Sequence, residues 1–483
     1  MNRKGERGRR NKSSIVSPAR GAAFEILRRV EDEGSYAAPL LANVAETLRP
    51  EDRALCYELV LGVLRWQLWL DSLIEHYSGR GAEKLDAPVR RALRLGLYQL
   101  RRLTRVPASA AVNESVNLAY HARLRSAAPF INGVLRRATR EPVYDPAEKV
   151  DNPVEKIAVR TSHPAWLIEK WVAMLGAEEA ESLAAANNET PPMAFRVNGR
   201  VNGRVNGRVN GRVNGRVNNR DSELRATTES IIGKLRQAGV IVEQSRVAPG
   251  GWRVRGAAGG IILRELASEG LIYLQDEASQ FVAHMLGARS GEHILDTCAA
   301  PGSKTTHLAA LAGDGAMIVA GDVHQHRLRL VREAAERQSL TSVCPLAFDA
   351  ESSLPFADES FDRVLVDAPC TGTGTLRHNP EIRWRISYRD ITELAARQKN
   401  ILGNAARVVR RGGRLVYSTC SIEREENECV VEEFLTRNAK FRQIAVSATP
   451  ASSNVTEEAG GVRTWPHRDD VDGFFVAAFE RAE

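Results

Sequence analysis

The sequence predicts a multi-domain chain: an all-α helical bundle at the N-terminus, a small α+β linking domain, and a C-terminal α/β domain on a doubly wound parallel sheet. Three observations predict it. The 483 residues are more than one domain of roughly 100–200 residues uses. Apolar residues recur at helical spacing from Ser17 to about Arg140, as in Ala22, Phe24, Leu27 and Val30, or Leu93, Leu97 and Leu100, with almost no strand-like alternation. After Gly270, strand and helix patterns alternate, the signature of a parallel α/β sheet.

The elements follow in order. Residues 1–14 (MNRKGERGRRNKSS) are polar and charged and read as a disordered basic tail. Residues 15–145 form the bundle, five to seven packed helices, with the nearly apolar segment Leu59–Ile74 (LVLGVLRWQLWLDSLI) as its central helix. Residues 152–270 form the linking domain, mixing helical stretches (Trp166–Leu175, Glu229–Ala238) with short strands (Val240–Glu243, Leu271–Leu274). Within it, five consecutive copies of Arg-Val-Asn-Gly fill 196–215, followed by the near-copy Arg216–Asn219 and by Arg220. That period is far below the roughly 20–50 residues of solenoid repeats, and a glycine in each copy opposes helix and strand. The sequence therefore predicts a loop over 196–220, a tandem expansion whose seven arginines and lack of acids leave incidental RNA contact open. Residues 271–483 form the α/β domain.

Composition narrows the function classes. The six cysteines, at 56, 298, 344, 370, 420 and 429, include no CxxC pair, which argues against a disulfide framework and a thiolate metal site and favours a reducing cytoplasm. No stretch approaches the roughly 18 consecutive apolar residues of a membrane span, and the N-terminus lacks the apolar core of a signal peptide. Net charge is +7 but uneven: residues 1–150 hold 26 Lys+Arg against 17 Asp+Glu, leaving 41 against 43 for the remainder. A basic module joined to a near-neutral body suits an enzyme with a nucleic-acid-binding appendage, and equally a soluble surface with a basic tail.

The chemistry sits after Gly291. HILDTCAAPGSKTTHLAALA reads as a strand (Ile294–Asp296), a turn of small residues (Thr297–Ser303) and a helix entered near Lys304. Such a turn lets a ligand approach backbone N–H groups at a helix N-terminus. A second strand, in AMIVAGDVH, ends in Asp322, 20 residues past Gly302; an acid at that offset typically receives ribose hydroxyls, so a nucleoside-containing cofactor is implied. GxGxxG is absent, against NAD, and GSKT imitates the end of a P-loop but GxxxxGK[ST] is not present, against an ATPase. Asp349 follows the strand Val343–Phe348 and is placed either to accept from an adenine amino group or as a solvated loop acid. FDRVLVDAPCTGTG contributes the strand Val364–Val366 ending in Asp367-Ala368-Pro369-Cys370, and GGRLVYSTCS the strand Arg414–Tyr417 with Cys420 in the turn beyond. Both cysteines thus stand past the carboxyl ends of strands, where loops carry function; Cys56, Cys344 and Cys429 read as buried and inert.

DTCAAPGSKTTHLA, VLVDAPCTGTG and YSTCS, in that order with Asp322 and Asp349 between the first two, resemble the RNA cytosine-5 methyltransferases of the Sun type. RALCYELVLGVLRWQLWLD, LRLGLYQL, RVPASAAVNESVNLA and FINGVLRR resemble the RNA-binding helical domain shared with the antitermination factor NusB. SHPAWLIEKW, FRVN, LQDEASQ and DGFF (Asp472–Phe475) also match family patterns, so the resemblance covers nearly the whole chain from Ser17. Two departures stand out: Ser303 replaces a glycine common in the cofactor turn, and the RVNG expansion interrupts FRVN.

The resemblance implies a NusB-like bundle and a class I methyltransferase (Rossmann-like) domain. It implies S-adenosylmethionine held by Cys298, Ala299, Ala300, Pro301, Gly302, Ser303 and Lys304, by Asp322 at the ribose, Asp349 at the adenine and Asp367 near the reacting end. It further implies an RNA partner, most naturally small-subunit ribosomal RNA, unassembled or partly assembled, and a monomeric enzyme. The need for cysteine is independent of family. Carbon 5 of cytosine is too poor a nucleophile unaided, and a thiolate added at carbon 6 activates it. By resemblance Cys420 attacks, Cys370 assists release, and Asp367 faces nitrogen 3 of the base. A DNA cytosine-5 methyltransferase would place the attack on Cys370 of the Pro-Cys pair, and a non-catalytic RNA-binding scaffold would be expected to lose Cys370, Cys420 or Asp367; all three are present.

Overall fold

The computed structural model describes residues 16–44, 47–141, 143–198, 218–256, 259–445, 456–458 and 460–483. The expected basic tail, 1–14, and residues 199–217 of the repeat lie outside them. The chain divides into two compact units, Met1–Asn188 with Asn379–Arg385, and Glu189–His378 with Ile386–Glu483. The stretch 152–270 is thereby shared between them, its helices before 188 counting with the first unit and its strands with the second.

The first unit is helical: α1 (Pro18–Asp32), α2 (Ala37–Val44), α3 (Pro50–Arg65), α4 (Gln67–Ser78), α5 (Ala87–Arg102), α6 (Ala108–His121), α7 (Ala128–Arg140), α8 (Pro153–Thr161), α9 (Ala165–Leu175) and α10 (Ala177–Ala186). A proline in the first turn of α1, α3, α5, α7 and α8 sets φ where the backbone N–H has no helical partner. Leu27, Leu59, Leu70, Leu93 and Ile131 meet in the core. Gly62 of α3 lies against the ring of Tyr98 on α5, where a Cβ would come within 2.0 Å of a ring carbon, so a side chain there would force the two helices apart. The basic helix α5 buries two of its arginines, each neutralised: Arg91 bonds Glu31 at 2.8 Å and Asp32 at 2.7 Å, and Arg94 bonds both oxygens of Asp71 at 2.7 and 2.6 Å. These two arginines are structural, and their three acid partners leave the N-terminal basic excess to other residues.

The segment Leu59–Ile74 is not one central helix. It breaks at Trp66, between α3 and α4. The break is stabilised from outside the segment: the Ser162 hydroxyl accepts from the N–H groups of Leu68 at 3.0 Å and Trp69 at 3.3 Å, two of the donors that a new helix start leaves open. Residues 379–385 complete this unit. Arg383, fully buried, donates to Asn188 Oδ1 at 2.8 Å and to the Ser162 and Asn187 carbonyls at 3.2 Å, and Trp384 Nε1 donates to the Leu64 carbonyl at 2.7 Å.

The second unit carries two sheets. In the first, β1 (Met193–Val197), β2 (Ile241–Gln244), β3 (Gly251–Arg255) and β4 (Ile272–Leu274) pair antiparallel in the order β2-β3-β1-β4. Phe195, Val254 and Ile272 of these strands pack against Ile231 and Leu235 of α11 (Asn218–Gln237) and Leu263 of α12 (Gly260–Ser268). The predicted loop over 196–220 is corrected at both ends. Arg196 and Val197 belong to β1, opposite Gly251 on one side and Tyr273 and Ile272 on the other, and α11 begins at Asn218. Backbone pairing on both sides of β1 overrides the composition of the repeat there.

The second sheet holds β5 (His293–Asp296), β6 (Met317–Asp322), β7 (Val343–Ala347), β8 (Phe361–Asp367), β9 (Val409–Thr419), β10 (Phe441–Gln443), β11 (Thr456–Glu458), β12 (Gly461–Arg463) and β13 (Phe475–Arg481). Its order is β11-β12-β13-β9-β8-β5-β6-β7, with β10 beside β13. Strands β5 to β9 run parallel and β13 is antiparallel to β9. Its helices include α13 (Glu277–Leu286), α14 (Ser303–Leu311), α15 (Gln325–Arg337), α16 (Tyr388–Val408) and α17 (Glu428–Arg437). The chain leaves β5 towards β6 and β7 and returns on the other side as β8, so the order reverses at β5. In open α/β sheets the crevice for ligands lies at that reversal, beyond the carboxyl ends of the strands. No helix of the described residues is long and apolar enough to cross a membrane.

Candidate active site

The turn after β5 is tied to both neighbouring strands. Thr297 donates to the Leu365 carbonyl of β8 through its N–H at 3.0 Å and its hydroxyl at 3.1 Å, and Ala299 N–H donates to Gly321 of β6 at 2.7 Å. Gly302 closes the turn at φ +103, where an L side chain is strained, and a Cβ there would lie 3.0 Å from Val331 Cα on α15. Helix α14 then starts at Ser303, one residue ahead of the expected Lys304.

A cavity of about 370 Å³ opens beyond the carboxyl ends of the parallel strands. Of the residues singled out in the sequence, Cys298, Ala300, Asp322, Asp349, Asp367, Cys370 and Cys420 line it. Ala299, Pro301, Gly302, Ser303 and Lys304 are not among its lining; they shape the turn, and Lys304 reaches the site through Asp367. Asp322, almost fully buried, accepts from His324 N–H at 2.8 Å and pairs with Arg327 at 3.2 Å. Asp349 is exposed and accepts from Glu351 N–H at 2.9 Å and the Ser352 hydroxyl at 3.2 Å. Asp367 is held from both sides, by Lys304 Nζ at 2.7 Å and the Ser418 hydroxyl at 2.8 Å. Burial alone would lower the proton affinity of Lys304, yet the Asp367 carboxylate and the Cys420 sulfur hold its ammonium above its ordinary range.

The two strand-end cysteines meet, with Cys370 Sγ 3.3 Å from Cys420 Sγ. The hydrogen bond to Cys420, then burial, push the Cys370 thiol well above its ordinary range. Either sulfur can be the donor of the pair. Burial pushes the Cys298 thiol up to about 12, making it a neutral part of the wall. Cys56 is buried, as expected, and burial pushes its thiol up to about 11. Cys344 is exposed, not buried, because β7 is the last strand on its side of the sheet; Cys429 is half-buried on α17.

Two groups escaped sequence reasoning. His378 places Nδ1 3.0 Å from both oxygens of Asp472 in the DGFF passage, a pairing across 94 residues with no local signal. Glu426 lies in the charged run EREENE, for which no role is read from the sequence, and is fully buried beside the two cysteine loops.

A doubly wound sheet whose reversal point carries a small-residue turn, successive strand-end acids and a facing cysteine pair defines a class I methyltransferase domain with a two-thiol site. Residues 283–480 match the family described as 16S rRNA methyltransferase RsmB/F, residues 17–140 the NusB family, and residues 163–206 the ferredoxin-like domain of RsmF/B-like methyltransferases. The chain is 37% identical to the probable ribosomal RNA small subunit methyltransferase B of Synechocystis sp., covering 96% of this chain and 99% of that one. It is 31% identical to the ribosomal RNA small subunit methyltransferase B of Escherichia fergusonii, covering 95% and 97%. The structure of a methyltransferase homolog protein from Pyrococcus horikoshii superposes with a TM-score of 0.54 at 25% identity, over 69% of this chain and 100% of that one. The chain belongs to the 16S rRNA methyltransferase RsmB/F family.

Proposed function

We propose that the chain transfers a methyl group from S-adenosylmethionine to carbon 5 of a cytosine in small-subunit ribosomal RNA, through a Cys420 adduct that Cys370 helps to release. The observation that carries this reading is the 3.3 Å approach of the two sulfurs at the wall of the cavity lined by Asp322, Asp349 and Asp367. The cavity volume falls within the range of about 300–1,000 Å³ usual for small-molecule sites. Its donor set suits the cofactor: carboxylates are acceptors, and the cofactor offers ribose hydroxyls, amino groups and a cationic sulfur. Asp322 takes the ribose, Asp349 the adenine and Asp367 the reacting end, with the Cys298–Lys304 turn as cradle. When bound, S-adenosylmethionine supplies an electrophilic methyl group.

The residues of the chain do the rest. Cys420, as thiolate, adds to carbon 6, which makes carbon 5 nucleophilic and nitrogen 3 more basic. Asp367 faces nitrogen 3 while Lys304 and Ser418 hold it in place. Once carbon 5 carries the methyl group, its proton leaves to a base, the carbon 6–sulfur bond breaks, and the bonding electrons return to Cys420. Cys370, as a thiol, donates a hydrogen bond to the departing sulfur and so stabilises the leaving thiolate. The basic helical unit binds RNA backbone. One chain supplies all three acids and both thiols, so the enzyme works as a monomer, and the absence of CxxC pairs suits the cytoplasm.

Denaturing electrophoresis of variants incubated with ribosomal RNA and cofactor tests the assignment. Cys420→Ala should form no adduct; Cys370→Ala should methylate and then stall as a slower, RNase-sensitive band. An adduct trapped in Cys420→Ala and absent from Cys370→Ala would assign the nucleophile to Cys370, and methylation retained by both variants would dismiss covalent catalysis.

A further inference from the structure

Each cysteine of the pair sits on its own loop, and the sulfurs meet only if the two loops are held in register. Some of that register comes from bonds between the loops themselves: Gly374 N–H donates to the Cys420 carbonyl at 2.9 Å, and Ile422 N–H to the Thr373 hydroxyl at 3.1 Å. The remainder converges on one side chain from a third place in the sequence. Glu426 is fully buried. Its Oε1 accepts from the N–H of Thr371, the residue after Cys370, at 2.9 Å, and from Gln398 Nε2 at 3.0 Å. Its Oε2 accepts from two hydroxyls at 2.5 Å each, those of Thr371 and of Ser421, the residue after Cys420. Gln398 Nε2 also donates to the carbonyl of Pro369, the residue before Cys370, at 2.9 Å. A single carboxylate thus holds the residue following each cysteine, and through Gln398 the residue preceding one of them.

All four groups bonded to this carboxylate are donors, and an ionised carboxylate is the side chain that only accepts. No ion pair to Glu426 forms among the described residues, so its charge is compensated by hydrogen bonds alone. Packing by itself does not call for such a group, because an apolar side chain of similar size would avoid the cost of burying a charge. What the carboxylate adds is geometry: its oxygens lie in one plane at a fixed spacing and take both loops at once.

We propose that Glu426 is a positioning residue that sets the separation of the Cys370 and Cys420 sulfurs by anchoring Thr371 and Ser421. The geometric claim stands on the structure alone; its consequence for turnover rests on the two-cysteine reaction proposed above. Sulfurs held within contact distance are oxidised to a disulfide as a pair, and diamide supplies the oxidant: two thiols lose their hydrogens to its nitrogen–nitrogen double bond, a sulfur–sulfur bond forms, and the reagent becomes the hydrazine.

The reduced full-length protein, treated with diamide, quenched by alkylation and read by peptide mass spectrometry, reports how fast the 370–420 disulfide forms. Glu426→Ala should slow it at least about 10-fold, because misplacement of reacting atoms on the ångström scale carries penalties of that order or more. Glu426→Gln should stay within about 3-fold of the parent, because the amide keeps one acceptor oxygen and its NH₂ can donate to the two hydroxyls, whose orientation is free. The double variant Thr371→Val, Ser421→Ala leaves Glu426 in place and should be slowed like Glu426→Ala, which keeps the test open if the alanine variant does not fold. In methylation assays, Glu426→Ala should lose kcat by about 100-fold at an unchanged KM for RNA. Disulfide formation at the parental rate in both Glu426→Ala and the double variant, or a glutamine variant as slow as the alanine one, would overturn the proposal. Absence of methylation by the parent protein, with the disulfide rates ordered as expected, would overturn the proposed reaction and leave the positioning role intact.

Discussion

Asp296, the last residue of β5, should make this protein less stable as pH rises towards neutrality, and removing its charge should remove that contribution. The carboxyl is almost fully buried and accepts from the Thr305 hydroxyl of α14 at 2.7 Å. Burial pushes it up to about 7 from an ordinary value of 3.8; the Thr305 bond opposes this, the nearby Asp367 carboxylate adds to it, and Lys304 again opposes it. The sign follows from linkage. Below pH 4 the group is protonated whether the chain is folded or unfolded, and it contributes nothing. Between pH 4 and 7 the unfolded chain releases the proton that the folded protein retains, so stability falls as pH rises, by about 1.4 kcal/mol per pH unit. Across the window the loss reaches roughly 4 kcal/mol and is complete above pH 7. Asparagine is neutral, nearly isosteric and able to accept from Thr305 through its amide oxygen. Urea unfolding followed by near-ultraviolet circular dichroism at half-unit steps from pH 5 to 8 should therefore show Asp296→Asn gaining on the parent protein until the curves run parallel above pH 7. A difference between the two proteins that stays constant across the whole range would refute the argument, because it would mean that Asp296 ionises in the folded protein as it does in the unfolded chain.

Two further outcomes can be checked directly. Gly374→Ala should cost about 2–4 kcal/mol of stability and abolish methylation, because its Cβ would lie 1.9 Å from the Gly473 carbonyl oxygen and Gly374 N–H bonds the Cys420 carbonyl; a variant with parental stability in thermal unfolding would contradict that close approach. Replacing Arg105, Arg123 and Arg125, which are exposed on the helical unit, with glutamine should weaken RNA binding and flatten its salt dependence by about 0.7–0.9 in log–log slope for each phosphate no longer neutralised; filter binding at several salt concentrations would measure it, and an unchanged slope would move the RNA-binding surface elsewhere.

The parallel α/β domain was legible because its signals are local. A run of apolar residues ends in Asp296, in Asp322 and in Asp367, and each marks where a buried strand emerges into a loop. The small residues of the Thr297–Ser303 turn and the two cysteines beyond β8 and β9 could be placed from the same periodicity, because alternation of strands and helices sends every such loop to one edge of the sheet. The bundle was legible for a similar reason: seven α-helices occur between residues 18 and 140 among the described residues, within the expected five to seven.

What the sequence could not decide is whatever depends on a partner far along the chain. The apolar run through Trp66 carries no break of its own; the break comes from the hydroxyl of Ser162, nearly a hundred residues later. Arg196 looks like repeat and is a sheet residue, because β3 and β4 pair with it on both sides. Residues 379–385 sit inside the methyltransferase sequence and fold into the helical unit, because the acceptors for Arg383 and Trp384 are there. At the candidate site, residue types and order singled out Cys370 and Cys420, but their 3.3 Å approach, the clasp of Lys304 on Asp367 and the burial of Glu426 depend on how distant chain segments meet. Periodicity reports which face of an element turns inward; which side chain it meets there is settled only when the elements pack, and in this protein the geometry of the candidate site lies entirely in those meetings.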